Sequence, residues 1–103
     1  MSKKILQVNF KLKVPVKEYE KICDQLAIPI AKTKGLVWKV WIINDANKEA
    51  GGTYLFEDDS SLKKYTEGEI VKTIMSHPAV SDINVKIFDV MEKHSKTTRG
   101  PIY

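Results

Sequence analysis

Trp38 and Trp41, the two tryptophans of the chain, stand three residues apart in the run LVWKVWII, with Lys39 between them. The following segment, AGGTYLF, carries Tyr54 and Phe56 behind the pair Gly51-Gly52. Aromatic faces beside one amine and a stretch of bare backbone can grip a flat molecule, and the same residues can equally build a core hairpin. Gln7, Asn9, Thr53 and Lys86 add hydrogen-bonding groups, and Phe88 adds another aromatic wall. His77 precedes Pro78 at the expected end of a helix, a place where an imidazole sits well with the helix dipole. His94 has no evident partner, and Cys23 reads as a small hydrophobe. Two histidines and one cysteine so far apart give no recognisable metal site, so no metal is expected. The sequence has no Gly-rich phosphate loop and no Ser-His-Asp arrangement, which leaves hydrolase and kinase chemistry without support.

The elements that must position these residues follow from periodicity. In residues 5–12, Leu6, Val8, Phe10 and Leu12 alternate with Ile5, Gln7, Asn9 and Lys11, which predicts a strand with one apolar and one mixed face. Pro15 suits a helix start, and Val16, Tyr19, Ile22, Cys23, Leu26, Ala27 and Ile30 recur at helical spacing. Pro29 predicts a kink or an early stop, because it has no N–H and crowds the carbonyl of Gln25. Residues 36–43 are apolar on both faces apart from Lys39, as in a strand covered on both sides. A polar hairpin loop leads to a third strand over 50–56, in which Gly51-Gly52 predicts a bulge or the close approach of another group. Residues 57–61 are rich in helix-capping side chains. Leu62 and Tyr65, then Ile70, Val71, Ile74 and Met75, predict a helix interrupted at Gly68 and ended by His77-Pro78. Residues 80–90 form a last strand, and a polar tail follows.

The order β-α-β-β-α-β predicts an α+β, ferredoxin-like antiparallel sheet with both helices on one face. The domain is expected over residues 1–92, with 93–103 a tail that drapes over a partner through Ile102 and Tyr103 or is disordered. Strict alternation groups Trp38 with Leu36, Val40 and Ile42, and Trp41 with Val37, Lys39 and Ile43. Whichever set points away from the helices exposes a tryptophan, and a second copy packed sheet to sheet is the economical cover. A homodimer is therefore expected, and a charge at Trp41 should break it if that residue lies between the sheets.

Composition narrows the partners. The chain has 103 residues, 43% hydrophobic and 29% charged, with 17 basic and 13 acidic side chains and a net charge of +4. The lysines are spread throughout and no aromatic-basic run suits base stacking, so nucleic acid is not an expected partner, while an anionic small ligand would be favoured. One cysteine gives no disulfide framework, which fits a reducing cytoplasm. No apolar run is long enough for a bilayer and no leader pattern is read, so no membrane partner is expected.

The combination of GLVWKVW, NKEAGGTYLFEDDSSLKKY and VKIFDV, in that order, resembles the YdhR family of small bacterial proteins. The resemblance runs from QVNF to IFDV and leaves the tail outside. It implies a dimeric α/β barrel and a monooxygenase similar to the cofactor-free antibiotic-biosynthesis enzymes that oxidise polycyclic phenols, so no cofactor is expected. Such an enzyme binds a flat, electron-rich aromatic or quinol-like molecule in a dry pocket, removes a proton and holds the anion beside oxygen.

On this reading Asn9, Lys39 and Tyr54 are the catalytic candidates. Gln7, Trp38, Trp41, Gly52, Phe56 and Phe88 are the substrate-binding ones. Each has a rival role: Asn9 in a hydrogen bond within the dimer, Lys39 at a rim, Gly52 in a bulge, one tryptophan in core or dimer contact. A dimer that binds a small hydrophobic molecule without turnover is the alternative function. Asn9, a tryptophan and His77 are also similar to the Asn, Trp and His of the haem-degrading branch of this fold. In that branch, however, the Trp is on the third strand and the His is on a helix lining the pocket.

Overall fold

The computed structural model describes residues 3–102 of the chain. Its elements are β1 (Lys4–Leu12), α1 (Val16–Ala31), β2 (Leu36–Asn44), β3 (Glu49–Phe56), α2 (Asp59–Thr66), α3 (Glu69–Met75), β4 (Val80–Asp89) and α4 (Glu92–Thr97). The four strands form one antiparallel sheet in the order β2-β3-β1-β4, the ferredoxin-like arrangement. No helix of the described residues is long and apolar enough to cross a membrane.

The alternation in β1 sorts the two faces. Leu6, Phe10 and Leu12 are buried on the inner face, under the helices, and the β3 register adds Ala50, Tyr54 and Phe56 to that side. One core cluster gathers Leu6, Ile30, Tyr54, Phe56, Leu62 and Tyr65; a second gathers Phe10, Leu12, Tyr19 and Ala50. Phe10 and Tyr19 meet edge to face at 5.8 Å, which fixes α1 against β1.

Pro29 does not stop α1, which continues to Ala31. The carbonyl deprived of a partner belongs to the exposed Gln25, where water can satisfy it, and Ile30, 2% exposed, anchors the last turn in the core. Asp58 caps α2, its Oδ1 accepting from the Ser61 N–H at 2.8 Å, and Gly68 separates α2 from α3.

The strict alternation expected for β2 fails at its start. Leu36 pairs with Phe56 but Trp38 pairs with Leu55, so Val37 is an extra, bulged residue. Leu36 is thereby inward and packs on the first core cluster, while Trp38, Val40 and Ile42 face outward. Lys39 and Trp41 face inward, so Trp41 is not on the outer face of the sheet.

The segment after β4 folds back on its own sheet: it carries α4, the Trp38 indole N–H donates to the Pro101 carbonyl at 2.8 Å, and Ile102 is buried. Tyr103 lies outside the described residues.

Candidate functional site

A cavity of about 100 Å³ lies between α1, the C-terminal end of α3, and the inner face of the sheet. Each wall comes from a different element. β1 supplies Val8 and Phe10, α1 supplies Tyr19, Ile22, Cys23 and Leu26, β2 supplies Lys39 and Trp41, and β3 supplies Gly51, Gly52 and Tyr54. The α3 side closes it with Thr73, Ile74 and, just beyond the helix, His77.

The electrostatics of this cavity centre on Lys39. Its Nζ sits 3.3 Å from the centre of the Trp41 ring and 4.7 Å from that of Tyr54. Among the described residues no carboxylate lies within ion-pair distance of it. Burial pushes the Lys39 amine down to about 8, and the nearby Cys23 only partly opposes this. Burial pushes the Cys23 thiol up, so Cys23 supplies no full negative charge at neutral pH. Burial likewise raises Tyr19 and Tyr54; the Tyr65 hydroxyl donates to that of Tyr54 at 3.2 Å. His77 accepts the Ala79 N–H on Nδ1 at 3.0 Å, which leaves Nε2 as the proton carrier of the neutral ring.

The two glycines serve different ends. A Cβ on Gly52 would come 2.5 Å from Lys39 Cε, so this bare backbone is what lets the lysine stem lie across the strand. A Cβ on Gly51 would fall 1.8 Å from the Val8 carbonyl oxygen, so Gly51 answers to strand packing.

Of the residues singled out from sequence, the structure therefore brings Lys39, Trp41, Gly52 and Tyr54 together. Phe56 is fully buried in the first core cluster and does not line the cavity. Gln7, Asn9 and Phe88 lie on the opposite face, in an open recess of about 400 Å³ shared with Lys86 and Asn84. There Thr53 donates to Gln7 at 2.6 Å and Gln7 to Asn9 at 2.8 Å. Trp38 is on that same face, tied to Pro101. Asn9 and His77 are thus on opposite sides of the sheet, and no Asn-Trp-His trio forms around one cavity. Tyr19 and Cys23 line the cavity without having been selected from sequence as site residues, and so does His77, weighed there only as a helix-end histidine and for the haem-degrading branch. The helical spacing that placed Tyr19 and Cys23 on the buried stripe of α1 was the available signal. Among the described residues no three His, Cys, Asp or Glu side chains gather as a metal site would require.

Residues 5–101 match the model of the family described as "Putative mono-oxygenase ydhR", so the match takes in most of the tail as well as the sheet. A search of curated proteins by sequence gave no match. Among solved structures, the chain is similar in fold to SnoaB, a cofactor-independent oxygenase from Streptomyces nogalater. The TM-score is 0.73 at 13% identity, over 87% of this chain and 94% of that one. It is similar to the heme-degrader MhuD from Mycobacterium tuberculosis, with TM-score 0.65 at 14% identity over 84% and 95%. MupZ from Pseudomonas fluorescens gives TM-score 0.72 at 13% identity over 98% and 82%. At these identities the likeness shows the fold.

Proposed function

The chain belongs to the ydhR mono-oxygenase family, and on that premise we propose that it oxygenates a small aromatic or quinol-like molecule in the Lys39 cavity, without a bound cofactor. The observation that carries this reading is an amine with no acid beside it, set in a mainly aromatic and aliphatic cavity whose other polar walls are Gln25, Thr73 and His77.

An amine whose proton is held to about 8 is part-neutral near physiological pH, the condition for a general base. As free amine, Lys39 accepts the acidic proton of the ligand; as ammonium, it pairs with the ligand anion that results. Trp41 and Tyr54 flank the amine and present faces on which an electron-rich ring can stack. The anion supplies the electrons to dioxygen. For an activated CH2 on a single phenolic ring the balance is R–CH2–R′ + O2 → R–CO–R′ + H2O. Both C–H bonds break, one oxygen atom becomes the carbonyl, and the other leaves as water with the two protons. Lys39 takes the first proton and returns it to the departing oxygen.

The outer face carries Val40 and Phe88, half exposed, together with Ile42. A second copy packed on this face would give a homodimer in which Gln7, Asn9 and Trp38 serve assembly.

The test is oxygen consumption with a panel of single-ring quinols and activated alkylphenols, sized to the cavity. Uptake by the wild type should fall about 10²- to 10⁴-fold in Lys39→Met. Tight binding without uptake under any condition would sink the oxygenase reading and leave a binding dimer. A stable Soret shift on adding haem, lost in His77→Ala, would move the assignment to haem chemistry.

A further inference from the structure

A second groove of about 180 Å³ adjoins the Lys39 cavity on the helix side of the sheet. The two share Val8, Tyr54 and Ile74, so these three residues form the partition between them. Beyond the partition the walls are Leu6, Val71, Ile83, Val85 and Met75, and the polar atoms of Tyr54 and Tyr65 are turned toward each other. Met75 and Val85 remain 54% and 43% exposed, so the groove opens at the edge of the sheet along β4.

The structure assigns an amphiphilic ligand to this pair of cavities: we propose a phenolic head against Lys39 and an unbranched apolar tail that passes Ile74 into the second groove. The proposal rests on the Lys39 cavity being the ligand site. Three observations favour it. The Lys39 cavity alone has room for little more than one ring. The groove beyond offers an apolar tail its walls and has no unpaired cation for a second charged group. Val8 and Tyr54 belong to the two central strands, each hydrogen-bonded on both sides, and cannot part to admit a wide rigid body. Ile74 is on α3, a helix of seven residues none of which is fully buried, so a chain one methylene wide can pass it without disturbing the sheet. The groove is a recess beneath helices, whereas the broad apolar face suited to a second copy is on the other side of the sheet.

The test is equilibrium binding of 4-alkylphenols from methyl to octyl, read by tryptophan fluorescence and calorimetry. In the wild type Kd should fall about fourfold for each methylene that enters the groove, the equivalent of about 0.8 kcal/mol. Met75→Glu and Val85→Asp, both at half-exposed positions, should each flatten this dependence while leaving the Kd of phenol itself unchanged, which also certifies their fold. Lys39→Met should weaken every member by the same factor. Val40→Asp, on the outer face, should leave the dependence intact. The proposal is overturned if chain length has no effect in the wild type, or if the dependence survives both groove variants. It is also overturned if Val40→Asp abolishes the dependence, or if the groove variants instead dissolve self-association, which would give the groove to a second copy. Oxygen is not read in this assay, so tail binding and oxygenation stand or fall separately.

Discussion

Replacing Lys39 by methionine should make the folded protein more stable at neutral pH. In the fold the amine releases its proton at about 8, against 10.5 for an unperturbed lysine. At about 1.4 kcal/mol per tenfold, burial of the charged form costs about 3 kcal/mol. That figure is net of any attraction of the Trp41 and Tyr54 rings for the ammonium. Methionine keeps an unbranched stem across Gly52 without the charge, so Lys39→Met should gain up to about 3 kcal/mol at pH 7. The pH dependence has a definite sign. Below pH 8 both the folded and unfolded lysine are protonated and the folded state bears the whole cost. Between about 8 and 10.5 the unfolded chain holds the proton that the folded chain has released, so wild-type stability rises with pH relative to the variant. Above 10.5 the two curves should run together. Urea unfolding of both proteins at pH 7, 8.5 and 10, at one protein concentration, measures the gap and cancels groups common to both. A variant less stable than wild type at pH 7, or a gap that does not close with rising pH, would refute the view of Lys39 as an uncompensated buried amine.

The adjacent glycines should respond differently. Gly51→Ala sets a Cβ on the Val8 carbonyl and should cost about 3 kcal/mol or prevent folding, as thermal denaturation will show. Gly52→Ala meets chiefly the flexible end of Lys39 and, at 3.3 Å, the Tyr54 ring, so it should cost less than half as much stability while weakening phenol binding by at least about tenfold. Tyr54→Phe leaves the buried Tyr65 hydroxyl without its acceptor and should lower unfolding free energy by about 1 kcal/mol in urea titration. Val40→Asp should shift the sedimentation coefficient toward that of one subunit, whereas Trp41→Leu should leave sedimentation unchanged and weaken ligand binding, because the two residues face opposite sides.

The fold was legible because its signals are local. Period two in Leu6, Val8 and Phe10, the capping run ending in Ser61 and the break at Gly68 each declare an element by a mechanism confined to a few residues. The candidate site was only half legible. Lys39, Trp41, Gly52 and Tyr54 stood out as chemistry and converge, but Asn9 and Gln7 have equally suitable side chains and point the other way. Which face of β1 meets the helices could be read from its apolar side; which face holds the cavity could not, because both faces carry polar groups beside aromatic ones. Tyr19 and Cys23 were hidden among ordinary apolar positions of α1. Nothing in a helical stripe marks the place where it stands off from the sheet and leaves a void.

The bulge at Val37 was the decisive local feature, and its consequence is geometric. Leu36 and Lys39 are three positions apart, so in a regular strand they would point to opposite faces. The extra residue lets both point inward. Leu36 then seals the first core cluster while Lys39 and Trp41 reach the cavity beside the second, and Trp38 is turned outward to hold the returning tail at Pro101. One strand thus joins three duties that strict alternation would set against one another. The amine reaches the cavity because the start of its own strand has been shifted by one residue, and Gly52 on the neighbouring strand is bare at the point where the lysine stem must cross. Bulge and glycine act on the same side chain from two strands. A lysine accommodated twice over, with no acid to neutralise it, is understood physically as a group waiting for the negative charge of a ligand.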